Sequence, residues 1–331
     1  MKLVSSGIGI LLMLISGVAQ AAERPANIPE GMGILPTVVP IPADNPMSAA
    51  KTELGKQLYF DPVLSKSGHI SCNSCHNLGT WGVDNQVRSI GHKWQRGGRN
   101  APTSFNSGFW SAQFWDGRAP QLEDQAKGPP MNPVEMADDS EEQLVSRLQE
   151  AGYAPLFDKV FGKNSLSFDN MAKAIGAFER TLLTPDAPFD LYVQGKGEIS
   201  KAAKRGMQKV AEIGCTGCHS GPLFTNNSYQ QFMYGTDDGR KSVTGKVDDD
   251  HFFRVQSWRN VAMTAPYFHD GSVKTLSEAV RIMAKVQLDT KLSNADVADI
   301  VAFLKTLTGK APQVTYPVFP RPAGHALNWK N

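Results

Sequence analysis

The feature that most constrains this chain is a five-residue pattern that occurs twice, Cys72-Asn-Ser-Cys75-His76 and Cys215-Thr-Gly-Cys218-His219. Two thiols separated by two residues and followed at once by a histidine are the attachment signature of a c-type haem. The thiols bind one porphyrin edge as thioethers, and the histidine is directed at the iron as its proximal axial ligand. A bare C-x-x-C also occurs in redox dithiols and as half of a zinc site. Here each pair carries its histidine, and the two motifs use all four cysteines of the chain. No thiol is left for a disulfide or an all-cysteine zinc site. The motifs therefore predict two covalent haems, with His76 and His219 as proximal ligands.

A length of 331 residues allows two domains, and the distance between the motifs predicts one haem in each. A hydrophobic share of 41% is ordinary for a globular chain. The net charge of +2 is too balanced to point to nucleic acid. Residues 1–21 read as a cleaved secretory signal: Lys2 supplies the charge, Ile8 to Val18 the short apolar run, and Ala19-Gln20-Ala21 the small-residue cleavage pattern. The apolar run falls short of the roughly 20 residues a membrane span needs, so the mature chain is expected to have no span. Covalent haem attachment takes place on the exported side of bacterial membranes, and the expected compartment is the periplasm.

The rest of the chain reads as a duplication. Residues 22–46 form a proline-rich extended arm. Ser48 caps a helix that leads to the first motif, and Ser200 caps one that leads to the second. Further helices begin at Ser140 and Ser167. The closing helix, capped by Ser293, carries Val297, Ile300, Val301, Leu304 and Leu307 as one stripe, with the Ser167 helix as its counterpart. Arg99-Asn100 is echoed by Arg259-Asn260, and Phe114-Trp115-Asp116-Gly117 by Phe268-His269-Asp270-Gly271. The expected fold is all-α: two tandem class I cytochrome c-like domains, at 47–190 and 191–310, each around one covalent haem. A proline-rich tail follows at 311–331.

The sixth position on each iron decides the chemistry, since a methionine makes an electron carrier and an open position makes a catalyst. In the second half Met283 lies where class I cytochromes c place their methionine. Plain core packing is the competing explanation, and Met263 is the runner-up ligand. Aligning the halves puts Glu135 and Met136 in the region of Met283. Most loop glutamates are simply solvated, but a glutamate against a haem is costly unless it has work to do. As a distal base it would move a proton between the oxygens of bound H2O2, with Gln125 as a hydrogen-bonding partner. His92, in a glycine-flanked loop, is a candidate displaceable ligand of the first iron.

At GHKWQ, RNAPT, QFWDGRA, PVEM, TAPYFHDG and RIM the sequence resembles the bacterial dihaem cytochrome c peroxidases, from about residue 40 to residue 320. The resemblance implies that the His76 haem is the peroxidatic centre and the His219/Met283 haem the high-potential one that receives electrons. It implies that Glu135 and Gln125 activate peroxide, that His92 is the displaceable ligand and that Trp115 lies between the haems. It further implies a calcium ion held by the Asn100 side chain and the carbonyls of Thr264 and Pro266, a homodimer, and a small periplasmic cytochrome c or cupredoxin as electron donor. Reduction of H2O2 to two waters takes two electrons, and each haem can supply one. Two rival activities are a pure dihaem electron carrier, with Met136 ligating the first iron, and a dihaem enzyme that oxidises tryptophans of a partner protein. The second rival uses a tyrosine as distal ligand, and the neighbourhood of Met283 has none.

Overall fold

The computed structural model describes residues 27–321. The predicted signal at 1–21, the first residues of the arm and the end of the tail lie outside the described residues. Eleven helices of α type are described: α1 (Ala49–Phe60), α2 (Cys72–Cys75), α3 (Leu122–Met131), α4 (Glu141–Glu150), α5 (Ala154–Phe161), α6 (Phe168–Glu179), α7 (Pro188–Val193), α8 (Lys201–Glu212), α9 (Lys241–Thr244), α10 (Leu276–Leu288) and α11 (Asn294–Lys305). The all-α expectation needs one amendment. A short antiparallel ribbon pairs β1 (Tyr229–Gln231) with β2 (Phe252–Arg254), with Tyr229 opposite Arg254. No described helix is long and apolar enough to cross a membrane.

Helix starts follow the serines. Ser48, Ser140, Ser167, Ser200 and Ser293 each accept a backbone N–H of the first turn, which satisfies a donor that would otherwise lack a partner. Two helix pairs organise the two cores. α1 lies on α6, burying Leu54, Leu58 and Tyr59 against Met171, Ile175 and Phe178. α8 lies on α11, burying Ala203, Met207 and Val210 with Ile300, Phe303 and Leu304. Both crossings depend on a glycine. A Cβ on Gly55 would strike the carbonyl of Ala174, and one on Gly206 would strike that of Asp299. α7 joins the second core through Phe189, Tyr192 and Val193.

The repeat is visible in the backbone. Asn106 and Asn260 both sit in the left-handed region, at φ 61 and 62, and both open a short 3-10 turn. The same spacing relates Phe114 to Phe268 and Gly117 to Gly271, all at positive φ. It also relates the bridge Gln113–Ala119 to Tyr267–Val273. This register corrects the pairing of Arg99-Asn100 with Arg259-Asn260, because the structural partner of Asn260 is Asn106. The arms are exchanged between the halves. Ile28, Met32 and Ile34 pack on the second core, whereas Ala311, Val314 and Phe319 pack on the first. Arg321 reaches Asp61 at 2.5 Å and anchors the tail there.

Candidate functional site: two cavities with a common wall

Each C-x-x-C-H motif opens into a cavity, of about 520 Å³ at the first and about 380 Å³ at the second. In the first, α2 is one turn long and closes on the His76 N–H, which donates to the Cys72 carbonyl at 2.9 Å. Tyr59 on α1 donates its hydroxyl to the His76 carbonyl at 2.6 Å, tying the motif to the core. His76 Nδ1 lies 2.9 Å from the Pro102 carbonyl. A carbonyl can only accept, so Nδ1 carries the proton and Nε2 keeps its lone pair for a metal. The second motif uses the same device: His219 Nδ1 lies 3.1 Å from the Phe224 carbonyl, and its ring stacks on Trp258 at 4.3 Å.

The chemistry of these donors fits covalent haem. Burial lowers the pKa of His76 and brings that of His219 down to about 4, so both imidazoles are neutral, as an iron ligand requires. Burial pushes the Cys75 and Cys215 thiols up to about 11 and raises Cys72 and Cys218 as well. A redox dithiol needs the opposite shift, toward thiolate. A neutral thioether suits these walls.

The remaining lining separates the two cavities. Glu135, Gln125, Asn132, Arg118 and Met136 all line the first. Glu135 Oε1 accepts from Asn132 Nδ2 at 2.9 Å. Its pKa is raised by burial, against the opposing pull of the Arg118 cation and the Asn132 hydrogen bond. Met136 is buried and belongs to the first hydrophobic core. The second cavity is lined by Met283, presented by α10 between Val280 and Ala284. Met263 lines neither cavity and is 38% exposed, so of the two candidates only Met283 shares a cavity with His219.

The repeat register refines the placement of Glu135. Met283 on α10 corresponds to Pro129 on α3, since both helices start at equivalent leucines, Leu122 and Leu276. Pro129 and Pro130 stand where α3 ends, and the chain turns at Asn132. That turn, not the helix, carries Glu135 into the cavity.

His92 is not among the residues lining the first cavity, although its neighbour Gly91 is. The His92 N–H donates to the carbonyls of both Val134 and Glu135, at 3.0 and 2.9 Å. Its Nδ1 is buried with no hydrogen-bond partner. A Cβ on Gly91 would collide with the Val134 carbonyl, so only glycine lets this loop lie against the Glu135 turn.

Asn100, Ala101, Pro102, Thr103, Trp110 and Trp115 line both cavities and form the wall between them. Trp115 is fixed by its Nε1–H, which donates to the Asn100 carbonyl at 2.9 Å. Asn100, Thr264 and Pro266 all line the second cavity. Asn100 Nδ2 donates to Gln86 at 2.9 Å. Among the described residues its Oδ1 and the Thr264 and Pro266 carbonyls accept no hydrogen bond. Three free oxygens of this kind suit a hard cation.

Sequence reasoning missed two parts of the site. Arg99 holds Asp237 of the second half through two bonds, at 2.6 and 2.7 Å, and also pairs with Asp116 beside Trp115. Glu179, at the end of α6, lines the first cavity from within the core. A residue-by-residue alignment of α6 with α11 exposes it.

A family model described as di-haem cytochrome c peroxidase matches residues 49–198. The cytochrome c551 peroxidase of Pseudomonas aeruginosa is 47% identical over 290 residues, covering 83% of each chain. That of Nitrosomonas europaea is 46% identical over 293 residues, covering 86% of this chain and 87% of its own. A solved MauG-like protein associated with microbial copper homeostasis superposes with a TM-score of 0.74 at 30% identity, covering 86% of this chain and 95% of its own.

Proposed function

The chain belongs to the di-haem cytochrome c peroxidases, oxidoreductases that act on peroxide, and on that premise we propose that the first cavity reduces H2O2 while the second takes in the electrons. One observation carries this division: two motif cavities share a wall containing Trp115, and Glu135 and Gln125 line the first where Met283 lines the second. Cys72, Cys75 and His76 would hold the first haem, which would supply the iron for O–O cleavage; Cys215, Cys218, His219 and Met283 would hold the second, which would supply a stored electron. The cytochrome c-like character of both halves, each built on a glycine-mediated helix crossing, accords with this.

Glu135 acts as the base. Its carboxylate takes the proton from the inner oxygen of peroxide and returns it to the outer one, while Asn132 holds Oε1 in place. Gln125, on α3 just before that turn and in the lining of the same cavity, orients the bound peroxide. His92, which lies beside this cavity rather than in its lining, would serve as the displaceable group of the first centre. Its loop moves with the Glu135 turn because their backbones are bonded. Trp115 carries the electron across the wall. Asn100 Oδ1 and the Thr264 and Pro266 carbonyls would hold the calcium ion, on the loop that bears Trp115's hydrogen-bond acceptor. The enzyme is exported to the periplasm, works as a homodimer and draws on a small c-type cytochrome or cupredoxin.

Glu135→Gln keeps size and hydrogen bonding but cannot accept the proton. Steady-state peroxide turnover with a reduced c-type cytochrome should fall by roughly 10²–10⁴-fold, with both haems still attached. Because burial raises the Glu135 pKa, wild-type activity should decline with acid at a pH above the ordinary carboxylate range. Near wild-type turnover in the variant would move the base elsewhere.

A further inference from the structure

The closing helices of the two halves can be superimposed residue by residue. α1 crosses α6 at Ala174, and α8 crosses α11 at Asp299, each under a glycine. From that anchor Ile175 matches Ile300, Phe178 matches Phe303 and Leu182 matches Leu307, all of them buried. Ile175 lines the first cavity and Ile300 the second. The next cavity-lining position is Leu304 in the second half and Glu179 in the first. One half thus has a leucine, and the other a carboxylic acid, at the same point beside its motif.

Glu179 is only 7% exposed, and its Oε2 has no hydrogen-bond partner. The adjacent Arg180 cation pulls its pKa down without bonding to it, because that guanidinium makes a two-bond pair with Glu123 on α3, at 2.6 and 2.9 Å, and burial outweighs the pull. This pair lies over Gly176, on the face of α6 turned to α3. The titratable and charged groups facing Glu179 are Arg180 on its own helix, Glu123 on α3, Tyr59 on α1 and Cys72 on α2. Tyr59 hydrogen-bonds Ser104 and the His76 carbonyl and stays protonated, burial raising its pKa further. Cys72 ceases to titrate once it is a thioether. Only Glu179 is left as a group that can change protonation from within this wall.

A lone buried acid is expensive to ionise, and the second half shows that leucine fits the position. We propose that the Glu179 carboxyl is a redox-linked proton site of the first haem, binding one proton when that haem gains an electron and releasing it on oxidation. The step balances in charge: one electron arrives on the iron, one proton arrives on the carboxylate, and the net charge of the cavity is unchanged. The electron comes from the donor and the proton from solvent. Burial holds the group's pKa up at about 8, so the acid is mostly protonated near neutral pH, and a change in the local field loads or unloads it on the alkaline side of that value. The second cavity has Leu304 at this point and no carboxyl in its lining, and burial lowers the pKa of its His269, so it should pass electrons without protons. Peroxide reduction consumes two protons with two electrons, and this site stores one of them beside the reacting centre. The proposal rests on the assignment of the first cavity to the peroxide-reducing haem.

The test counts protons in the complete two-haem enzyme. In weakly buffered solution with an indicator dye, reducing the second haem should take up no proton. On the alkaline side of the Glu179 pKa, reducing the first should take up a proton, and that uptake should fade toward neutral pH and vanish in Glu179→Gln and in Glu179→Leu. The reduced-minus-oxidised infrared spectrum should contain the C=O band of a protonated carboxylic acid, absent in both variants. Glu179→Leu copies the packing of Leu304 and covers the case in which Glu179→Gln folds poorly. Unchanged uptake in either variant, or a wild-type spectrum lacking the carboxylic acid band, would overturn the proposal. Peroxide turnover is measured separately: a wild type without it would sink the peroxidase reading, while the proton count would stand or fall by itself.

Discussion

The two cavities are built to one plan and filled with opposite chemistry. Both lie beside a glycine-mediated helix crossing, both fix the histidine Nδ1 on a backbone carbonyl, and both receive an asparagine-initiated turn in the left-handed region. The differences fall at side chains that face inward. Where the second cavity has Met283, the first has Pro129, followed by a turn that delivers Glu135. Leu304 is replaced by Glu179. His269 is buried in the second half, stacked on Phe253 at 4.2 Å, whereas its counterpart Trp115 stands in the common wall. The lining of the second cavity thereby has no carboxyl group, and that of the first has Asp116, Glu135 and Glu179.

The largest effect should follow from breaking the covalent symmetry. Cys75→Ala should lose stable haem at the first site, and Cys218→Ala at the second, each leaving one haem per denatured chain in a pyridine haemochrome assay. A wild-type chain retaining a single haem would end the two-cavity comparison. The next effect separates the sixth ligands. Thioether ligation favours the reduced iron, so Met283→His should lower the second potential sharply. Met263→Leu should leave it unchanged, because Met263 lies outside the cavity. The reverse result would exchange their roles.

A smaller effect concerns the gate. His92→Gly should make the first haem high-spin and reactive toward peroxide without prior reduction, as read by electronic absorption and paramagnetic resonance. Removing calcium with a chelator should act in the opposite sense and leave the wild-type site capped. A variant that still needs pre-reduction would show that the His92 loop, though bonded to the Glu135 turn, does not cap the iron.

Much of this was legible in the sequence because it rests on local chemistry. A C-x-x-C-H run states its cofactor outright, and a serine before an apolar stripe states a helix start: Ser48, Ser167, Ser200 and Ser293 all cap as their spacing implies. What depends on backbone conformation was misread. The Arg99-Asn100 pair resembles Arg259-Asn260 in letters, yet the left-handed φ selects Asn106 as the partner of Asn260. Helix α3 carries two prolines near its end, which obscured its period. The position of Glu179 became visible only once the glycine crossings fixed the register of α6 against α11. The tail's destination could not be read either, because packing of Phe319 on the first core is a long-range choice with no periodic signal.

The smallest predicted effect tests whether the halves are joined at one post. Thr184 lies between them, and its hydroxyl accepts from Asn106 Nδ2 at 2.8 Å and from Asn260 Nδ2 at 3.0 Å. Asn106 Oδ1 also accepts the Thr184 N–H at 3.0 Å, and Asn260 Oδ1 accepts the Gly309 N–H at 3.1 Å. Each asparagine is buried and left-handed, a conformation that asparagine tolerates better than alanine. Asn106→Ala alone leaves the buried Thr184 N–H unpaired, at a cost of about 1–3 kcal/mol, and Asn260→Ala leaves the half-buried Gly309 N–H unpaired, at a smaller cost. Residues that share a partner do not add independently. Once one asparagine is gone, the Thr184 hydroxyl has lost a donor and its position loosens, so removing the other should cost less. The double variant should therefore melt above the temperature expected from summing the two single losses. Strict additivity in a denaturant-unfolding cycle would mean that Thr184 serves each half separately, and the halves would then be joined by the wall that contains Trp115, the Arg99–Asp237 pair and the exchanged arms.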